Sequence, residues 1–316
     1  MTRPQADVID PKTHISADET RIGWEQLPDS VRDAVQQHIA PVIKAETVPG
    51  GIMPGAAARL HLDGRLSVFL KAIRADSSAA ELHRREQQAN KVLPPLIPAP
   101  EMLWDGTVDG WLVTVFEFIN DNSRHVDLSP GSPDLPAVVE TVNVLGRLLT
   151  PCPPALPSMI ENISPLMSKA RHMLDKPAGE LPDKEMFEAA VDGFDAGMLR
   201  GHTMVHYDLS AGNMLAAHGS IYVLDWSFAA RGAAWVDAAM LAPRLIEAGH
   251  TPEGAEDLLH DVAVWRSARP TAVTGLAALW TLFRIYKAAH GPQEQRESRA
   301  RAAEAGRAWV AHRLAA

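Results

Sequence analysis

The sequence predicts an α+β chain in two lobes: a small antiparallel β-sheet lobe with one helix set among its strands, then a larger, mostly helical lobe. Three observations predict it. Up to about residue 118, apolar residues come in short runs broken by turn signals. Beyond it they recur every three or four residues, as on a helix face. Within that second part only one strand-like island interrupts the helices, around 203–224. The division reads as residues 1–20, polar and taken as a mobile N-terminus, 21–118 as the first lobe and 119–316 as the second, with a linker near 117–121.

The elements follow in order. In LPDSVRDAVQQHIAPV, Asp29 or Ser30 can cap a helix on which Val31, Val35 and Ile39 share a face. The runs Ala57–Leu62 and Leu66–Ile73 flank Asp63-Gly64, a hairpin signature. DSSAAELHRREQQANKVL reads as a helix that must stop before PPLIPAP. EMLWDG and WLVTVFEFI form a second strand pair. In the second lobe, Leu135, Val138, Val139, Val142, Leu145 and Leu149 form one helical stripe. Further helices are expected at 184–199, 235–248, 253–266, 271–289 and 293–314.

With 316 residues, 46% of them hydrophobic, the chain can bury a sizeable core. A net charge of −9 argues against a nucleic-acid binder, which must neutralise phosphates. One cysteine, Cys152, makes neither an intrachain disulfide nor a thiolate zinc cage. No run approaches the ~18 apolar residues of a membrane span, so a soluble, cytoplasmic protein without a membrane partner is expected.

The segment VHYDLSAGNML carries the chemistry. Asp208 and Asn213 stand five residues apart, and Ala211-Gly212 allows the turn that brings Asn213 back toward Asp208. MLAAHGSIYVLDW then reads as strand, turn and strand, returning Asp225 beside Asn213. A carboxylate and an amide oxygen suit Mg²⁺, a hard cation that keeps waters and substrate phosphates. A free carboxylate at Asp208 can orient a hydroxyl and accept its proton. Each piece also has a plain reading: His-x-Asp as a loop with a local hydrogen bond, Asp225-Trp226 as a turn cap.

In the first lobe, strand alternation puts Lys71 on one face with Phe69 and Ile73, where an unpaired ammonium is costly. In the next helix Leu82, Glu86, Ala89 and Leu93 share a stripe, so Glu86 is the acid that needs a cation. Glu81 lines up instead with Arg85 and Gln88 on a polar face. A Lys71 snorkelling to the surface beside an unrelated Glu86 is the competing reading.

Taken together, His206, Asp208, Asn213 and Asp225 resemble the H-x-D-x-x-x-x-N…D pattern of protein-kinase-like phosphotransferases. Asp225-Trp226 where protein kinases carry Asp-Phe-Gly, and no Lys two residues after Asp208, is similar to the aminoglycoside phosphotransferase family. That family includes choline, homoserine and fructosamine kinases. The resemblance covers roughly residues 40–290 and implies a protein-kinase-like fold, with ATP or GTP as phosphoryl donor and a small-molecule hydroxyl as acceptor. It implies Asp208 as catalytic base, Asn213 and Asp225 as Mg²⁺ ligands, and His206 as an anchor of the loop. It also implies Lys71 on the nucleotide phosphates with Glu86 holding it. Glu117, through its carbonyl, and Ile119, through its amide, match the adenine-binding linker, though the register can slip by one residue. Asp237 matches an acid that caps the catalytic loop from a helix; an ordinary acid at a helix start reads equally well. Gly50 and Gly51, with Gly55, do not spell the Gly-rich phosphate motif; their amides can cradle phosphates, or the stretch is a plain surface loop. The family usually has Gly where Tyr207 stands.

The acceptor is the least legible part. Glu253, Glu256, Asp257 and Asp261, with Glu247 and His250, either bind the ammonium groups of an aminoglycoside or form a solvated helix face. The expected activity is phosphorylation of an antibiotic or related natural product, in resistance or biosynthesis. The alternatives are a metabolic small-molecule kinase and a nucleotide-binding pseudoenzyme.

Overall fold

Alternation on the strands and helical spacing after them give the architecture of a computed structural model describing residues 21–48, 53–64, 66–119, 122–153, 155–177 and 179–316. The N-terminal 1–20 segment, read as mobile, and Gly50 and Gly51 lie outside the described residues. The chain divides into two units: the first takes the described residues up to Leu93, Pro98–Ser123 and Tyr222–Phe228, the second Pro94–Ile97, Arg124–Ile221 and Ala229–Ala316.

The first unit is built on a six-stranded sheet. In chain order come β1 (Arg21–Ile22), α1 (Asp29–His38), β2 (Val42–Thr47), β3 (Gly55–Leu62), β4 (Ser67–Arg74), α2 (Ala80–Asn90), β5 (Met102–Val108) and β6 (Trp111–Glu117). The spatial order is β1-β3-β4-β6-β5, with β2 also on β3. β2 pairs antiparallel with β3 from Ala58 to Leu62 and β1 pairs parallel with it at Gly55–Ala56, so the two share one edge of β3. The β3–β4 turn holds Gly64 at φ +94°, and the β5–β6 turn puts Asp109 and Gly110 at +49° and +74°; such left-handed pairs match the twist of a hairpin. Leu60, Leu70, Val113 and Val115 are buried with Val31 and Val35 of α1 and with Trp24. Asp29 is not the cap of α1: it occupies the first turn after Pro28, where it pairs with Arg32.

The second unit holds β7 (Arg124–His125), α3 (Leu135–Leu148), α4 (Met159–Leu174), α5 (Lys184–Asp192), β8 (Thr203–Val205), β9 (Met214–Ala217), the start of β10 (Ser220–Val223), β11 (Ala230–Gly232), α6 (Val236–Glu247), α7 (Pro252–His260), α8 (Pro270–His290) and α9 (Gln293–Ala315). From Ala272 to Arg284 every residue of α8 is buried, as befits a helix apolar all round. Helix α9 comes close because a glycine faces α8: a Cβ at Gly306 would collide with Thr281.

Three segments depart from the sequence reading. α4 was not expected, because Pro165 inside it breaks the pattern; its start is a capping box in which Ser158 N–H donates to Glu161 Oε2 at 2.6 Å. The helix expected over 184–199 stops at Asp192, with Gly193 next, and resumes as a 3₁₀ turn at Ala196–Leu199. The one expected over 253–266 ends at His260, because the Asn143 side chain accepts the Ala263 N–H at 2.8 Å and donates to the Asp261 carbonyl at 3.1 Å.

Candidate active site

In the first unit the structure brings Lys71, Glu86 and Asp225 together. Central strand β4 presents Lys71, and its Nζ lies 2.6 Å from Glu86 Oε1 on α2 and 3.8 Å from Asp225 Oδ1. The Glu86 side chain is 6% exposed, that of Lys71 26%. Burial works against the Lys71 ammonium, but Glu86 and Asp225 outweigh it and hold its pKa above the ordinary value. Burial pushes the Glu86 carboxyl upward, with Lys71 opposing.

Asp225 sits in left-handed backbone, φ +60°, which aspartate tolerates better than most residues. Its conformation is held from both sides. Ser227 Oγ donates to Asp225 Oδ1 at 2.7 Å. Trp226, 1% exposed, donates Nε1–H to the Val223 carbonyl at 3.1 Å, and its short 3₁₀ turn packs on α2. The tryptophan therefore anchors the turn that presents the carboxylate.

A polar ladder lies beneath Lys71. Gln87 Nε2 donates to the Val113 carbonyl at 3.1 Å and to Thr114 Oγ1 at 2.9 Å. The Thr114 hydroxyl is then left to donate to His83 Nε2, 2.9 Å away. Burial, then the charge of Lys71, depresses the His83 pKa to about 3, so the ring is neutral, as an acceptor must be. At the linker, Glu117 N–H donates to the Glu101 carbonyl at 2.8 Å, and the Glu117 side chain accepts the Glu101 N–H at 3.1 Å. Ile119 is buried at 8% exposure and accepts from Ser123 Oγ at 3.5 Å.

The second unit brings together His206, Asp208, Asn213 and Asp237. The loop leaves β8, itself paired with β11, and its shape is set from α6. Asp237, 3% exposed, accepts the His206 N–H at 2.9 Å and the Tyr207 N–H at 2.6 Å. Burial raises the Asp237 carboxyl pKa, and His206 with the two amides opposes that. His206 is fully buried, and its Nδ1 accepts the Asp208 N–H at 3.2 Å. Asn213 Nδ2 donates to the Asp208 carbonyl at 2.8 Å. Tyr207 has φ +71°, left-handed backbone that glycine adopts at no steric cost and that costs other residues ~1–2 kcal/mol.

Two further residues hold the carboxylates. Ser227 is one; the other is Arg244, also on α6, whose Nη2 donates to Asp208 Oδ1 at 2.9 Å. Sequence reasoning missed both, along with His83. A faint signal for Arg244 exists: it follows Asp237 by seven residues, two helical turns, and so shares its face.

Three of the candidates for acceptor binding have partners within the second unit. Glu256 accepts from Arg313 Nη1 and Trp309 Nε1, both at 2.6 Å. His250 Nε2 lies 3.0 Å from the Leu128 carbonyl, and Glu247 Oε2 3.5 Å from Arg244 Nη1. Glu256 and His250 therefore join elements of the fold.

A lysine–carboxylate pair on a β-sheet lobe, and an Asp–Asn loop on a helical one, define a kinase-like phosphotransferase class. The chain belongs to the phosphotransferase enzyme family, whose model matches residues 55–271. It is a small-molecule phosphotransferase acting on hydroxyl groups. No curated protein sequence matches it. Similar solved structures include a choline/ethanolamine kinase family protein from Mesorhizobium loti, 15% identical over 91% of this chain and 99% of that one, TM-score 0.56. APH(2")-IIa in its gentamicin complex is 13% identical over 90% and 98%, TM-score 0.56. Amicoumacin kinase hAmiN, in complex with AMP-PNP, Ca²⁺ and Ami, is 10% identical over 88% and 93%, TM-score 0.55. At these identities the likeness establishes the fold, which is protein-kinase-like. Among the described residues no helix is long and apolar enough to cross a membrane.

Proposed function

We propose that the protein transfers the γ-phosphoryl group of ATP, or of GTP, to a hydroxyl of an antibiotic or related natural product. The observation that carries this reading is the anchoring of Asp208: its amide is held by His206, its carbonyl by Asn213, its carboxylate by Arg244. A carboxylate held so firmly can orient an acceptor hydroxyl before reaction. The acceptor oxygen bonds to the γ-phosphorus as the bond to the leaving nucleoside diphosphate breaks, and the hydroxyl proton passes to Asp208. Lys71, held by Glu86, supplies positive charge to the nucleotide phosphates. Glu117 and Ile119 meet the adenine edge.

Taken singly, the donors suit Mg²⁺. With its NH₂ committed to the Asp208 carbonyl, Asn213 has its amide oxygen to offer, and Asp225 offers a carboxylate; both are hard oxygen donors. When bound, the cation neutralises charge on the phosphate oxygens. Asn213 and Asp225 would hold it.

The test is Mg²⁺-dependent ADP release across a panel of hydroxyl-bearing antibiotics and metabolites, with Asp208→Asn in parallel. Stimulation by one acceptor, abolished by the substitution, supports the reading. Tight ATP binding with no turnover of any acceptor would favour a nucleotide-binding pseudoenzyme, and no ATP binding would sink the reading.

A further inference from the structure

The acceptor class can be read from side chains that adjoin Asp208. Trp280 and Arg284 stand one turn apart on α8. The Arg284 guanidinium carbon lies 4.7 Å from the centroid of the Trp280 ring, and that of Arg244 lies 5.2 Å from the same ring. Since Arg244 also donates to Asp208 Oδ1, a chain of side-chain contacts runs from Asp208 to Arg284.

The carboxylates along this chain are unevenly shared. Arg244 has two carboxylates, Asp208 at 2.9 Å and Glu247 at 3.5 Å. Arg284 has none. It is only 8% exposed, its Nε is buried without an acceptor, and among the described residues it makes no hydrogen bond or ion pair. A guanidinium taken out of water is normally paired, and an indole face offsets only part of that cost. Arg284 thus lacks an anion, while Glu256, an acid that could have received a polycation, is occupied.

We propose that Arg284, with Trp280 and Arg244, forms an acceptor subsite for an oxyanion, so that the hydroxyl substrate carries a carboxylate or phosphate group. This rests on the reading of Asp208 as the group that takes the acceptor proton. The bound oxyanion pairs with Arg284 and fixes the substrate while its hydroxyl faces Asp208. A polycationic aminoglycoside is the wrong charge for this subsite.

The test uses the full chain and inorganic sulfate as the oxyanion probe, at constant ionic strength. Sulfate is titrated against wild type, Arg284→Gln and Arg284→Met by tryptophan fluorescence, with Trp280→Phe identifying the reporting ring. Wild type gives a saturable change that both Arg284 variants weaken by about tenfold, as expected for a charge-assisted hydrogen bond. Each variant removes an unpaired buried charge, so both melt at or above the wild-type temperature. In a second arm, ADP release is measured with matched acceptors: a hydroxycarboxylate, its phosphate monoester analogue, its neutral amide and its amine. An anionic member wins in kcat/KM, its advantage disappears in Arg284→Gln through KM rather than kcat, and the first two members tell carboxylate from phosphate. Equal sulfate affinity in wild type and both variants overturns the proposal, as does preference for the amide or amine. If nothing in the panel is turned over, the sulfate arm decides. ATP binding is followed in the same samples. Its loss with the sulfate response intact sinks the phosphotransferase reading alone; the converse sinks the subsite alone.

Discussion

Each unit of the protein pairs a site carboxylate with a cation, and the two pairs are built differently. Glu86 is buried within α2, and Lys71 is held between it and Asp225. Asp208 is 23% exposed at its side chain, its partner Arg244 also has Glu247 within reach, and its second carboxylate oxygen lies 3.5 Å from Asn213 Nδ2. In the first pair, removal of Lys71 strands the buried Glu86 carboxylate. In the second, the carboxylate is more exposed and keeps an oxygen for other work. Stability and activity should therefore separate: damage to the first pair is felt in both, damage to the second mainly in activity.

The largest expected effect breaks the second pair. Asp208→Asn should lower kcat by about 10²–10⁴, the usual worth of a positioned base, with the melting temperature nearly unchanged. A melting temperature that falls steeply would erase the distinction. Next, Lys71→Met should destabilise the chain by ~3–5 kcal/mol, the cost of stranding a buried charge, whereas Lys71→Met with Glu86→Leu should recover most of that loss in denaturant titrations. Failure of the double variant to recover would mean that the lysine packs rather than pairs.

A smaller effect sharpens the contrast through pH. The His83 ring has an ordinary pKa of 6.5 when unfolded and about 3 in the fold. Between those values the unfolded chain holds the extra proton, so stability is complete above the upper value and is lost as pH falls toward the lower. The contribution is up to ~1.4 kcal/mol per pH unit. His83→Gln should flatten that part of the stability curve from pH 6.5 toward 4; an unchanged slope would place its origin in other groups. The smallest effect is at Ser227→Ala, which deletes one bond to Asp225 worth ~1 kcal/mol and should raise the nucleotide KM roughly fivefold, with kcat little changed.

What could be read from the sequence follows from where each signal lies. The approach of Lys71 to Glu86 was legible because both sit in regular elements, where strand and helix periods fix the face of every side chain. The Asp208–Asn213 loop was legible because a short loop with fixed spacing must fold back on itself. Arg244 was hidden: a lone arginine in the last turn of a helix has an ordinary explanation in the helix dipole. His83 was hidden within a polar HRRE run, and only the fold reveals that its ring is buried on Thr114. Helix α4 was masked by Pro165, although its Ser158–Glu161 capping box was in plain view.

Helix α6 holds the Asp208 loop twice, by the backbone through Asp237 and by the side chain through Arg244. What the fold must preserve is therefore an interval as much as two identities. Seven residues bring the second grip round to nearly the same azimuth as the first, ~10.5 Å further along. One residue inserted between them would swing the guanidinium through ~100° and leave the amide clasp untouched. A chain altered in that way would keep its loop in shape and lose the aim of its carboxylate, so insertions in this helix should be far less tolerated than substitutions at its neighbouring positions.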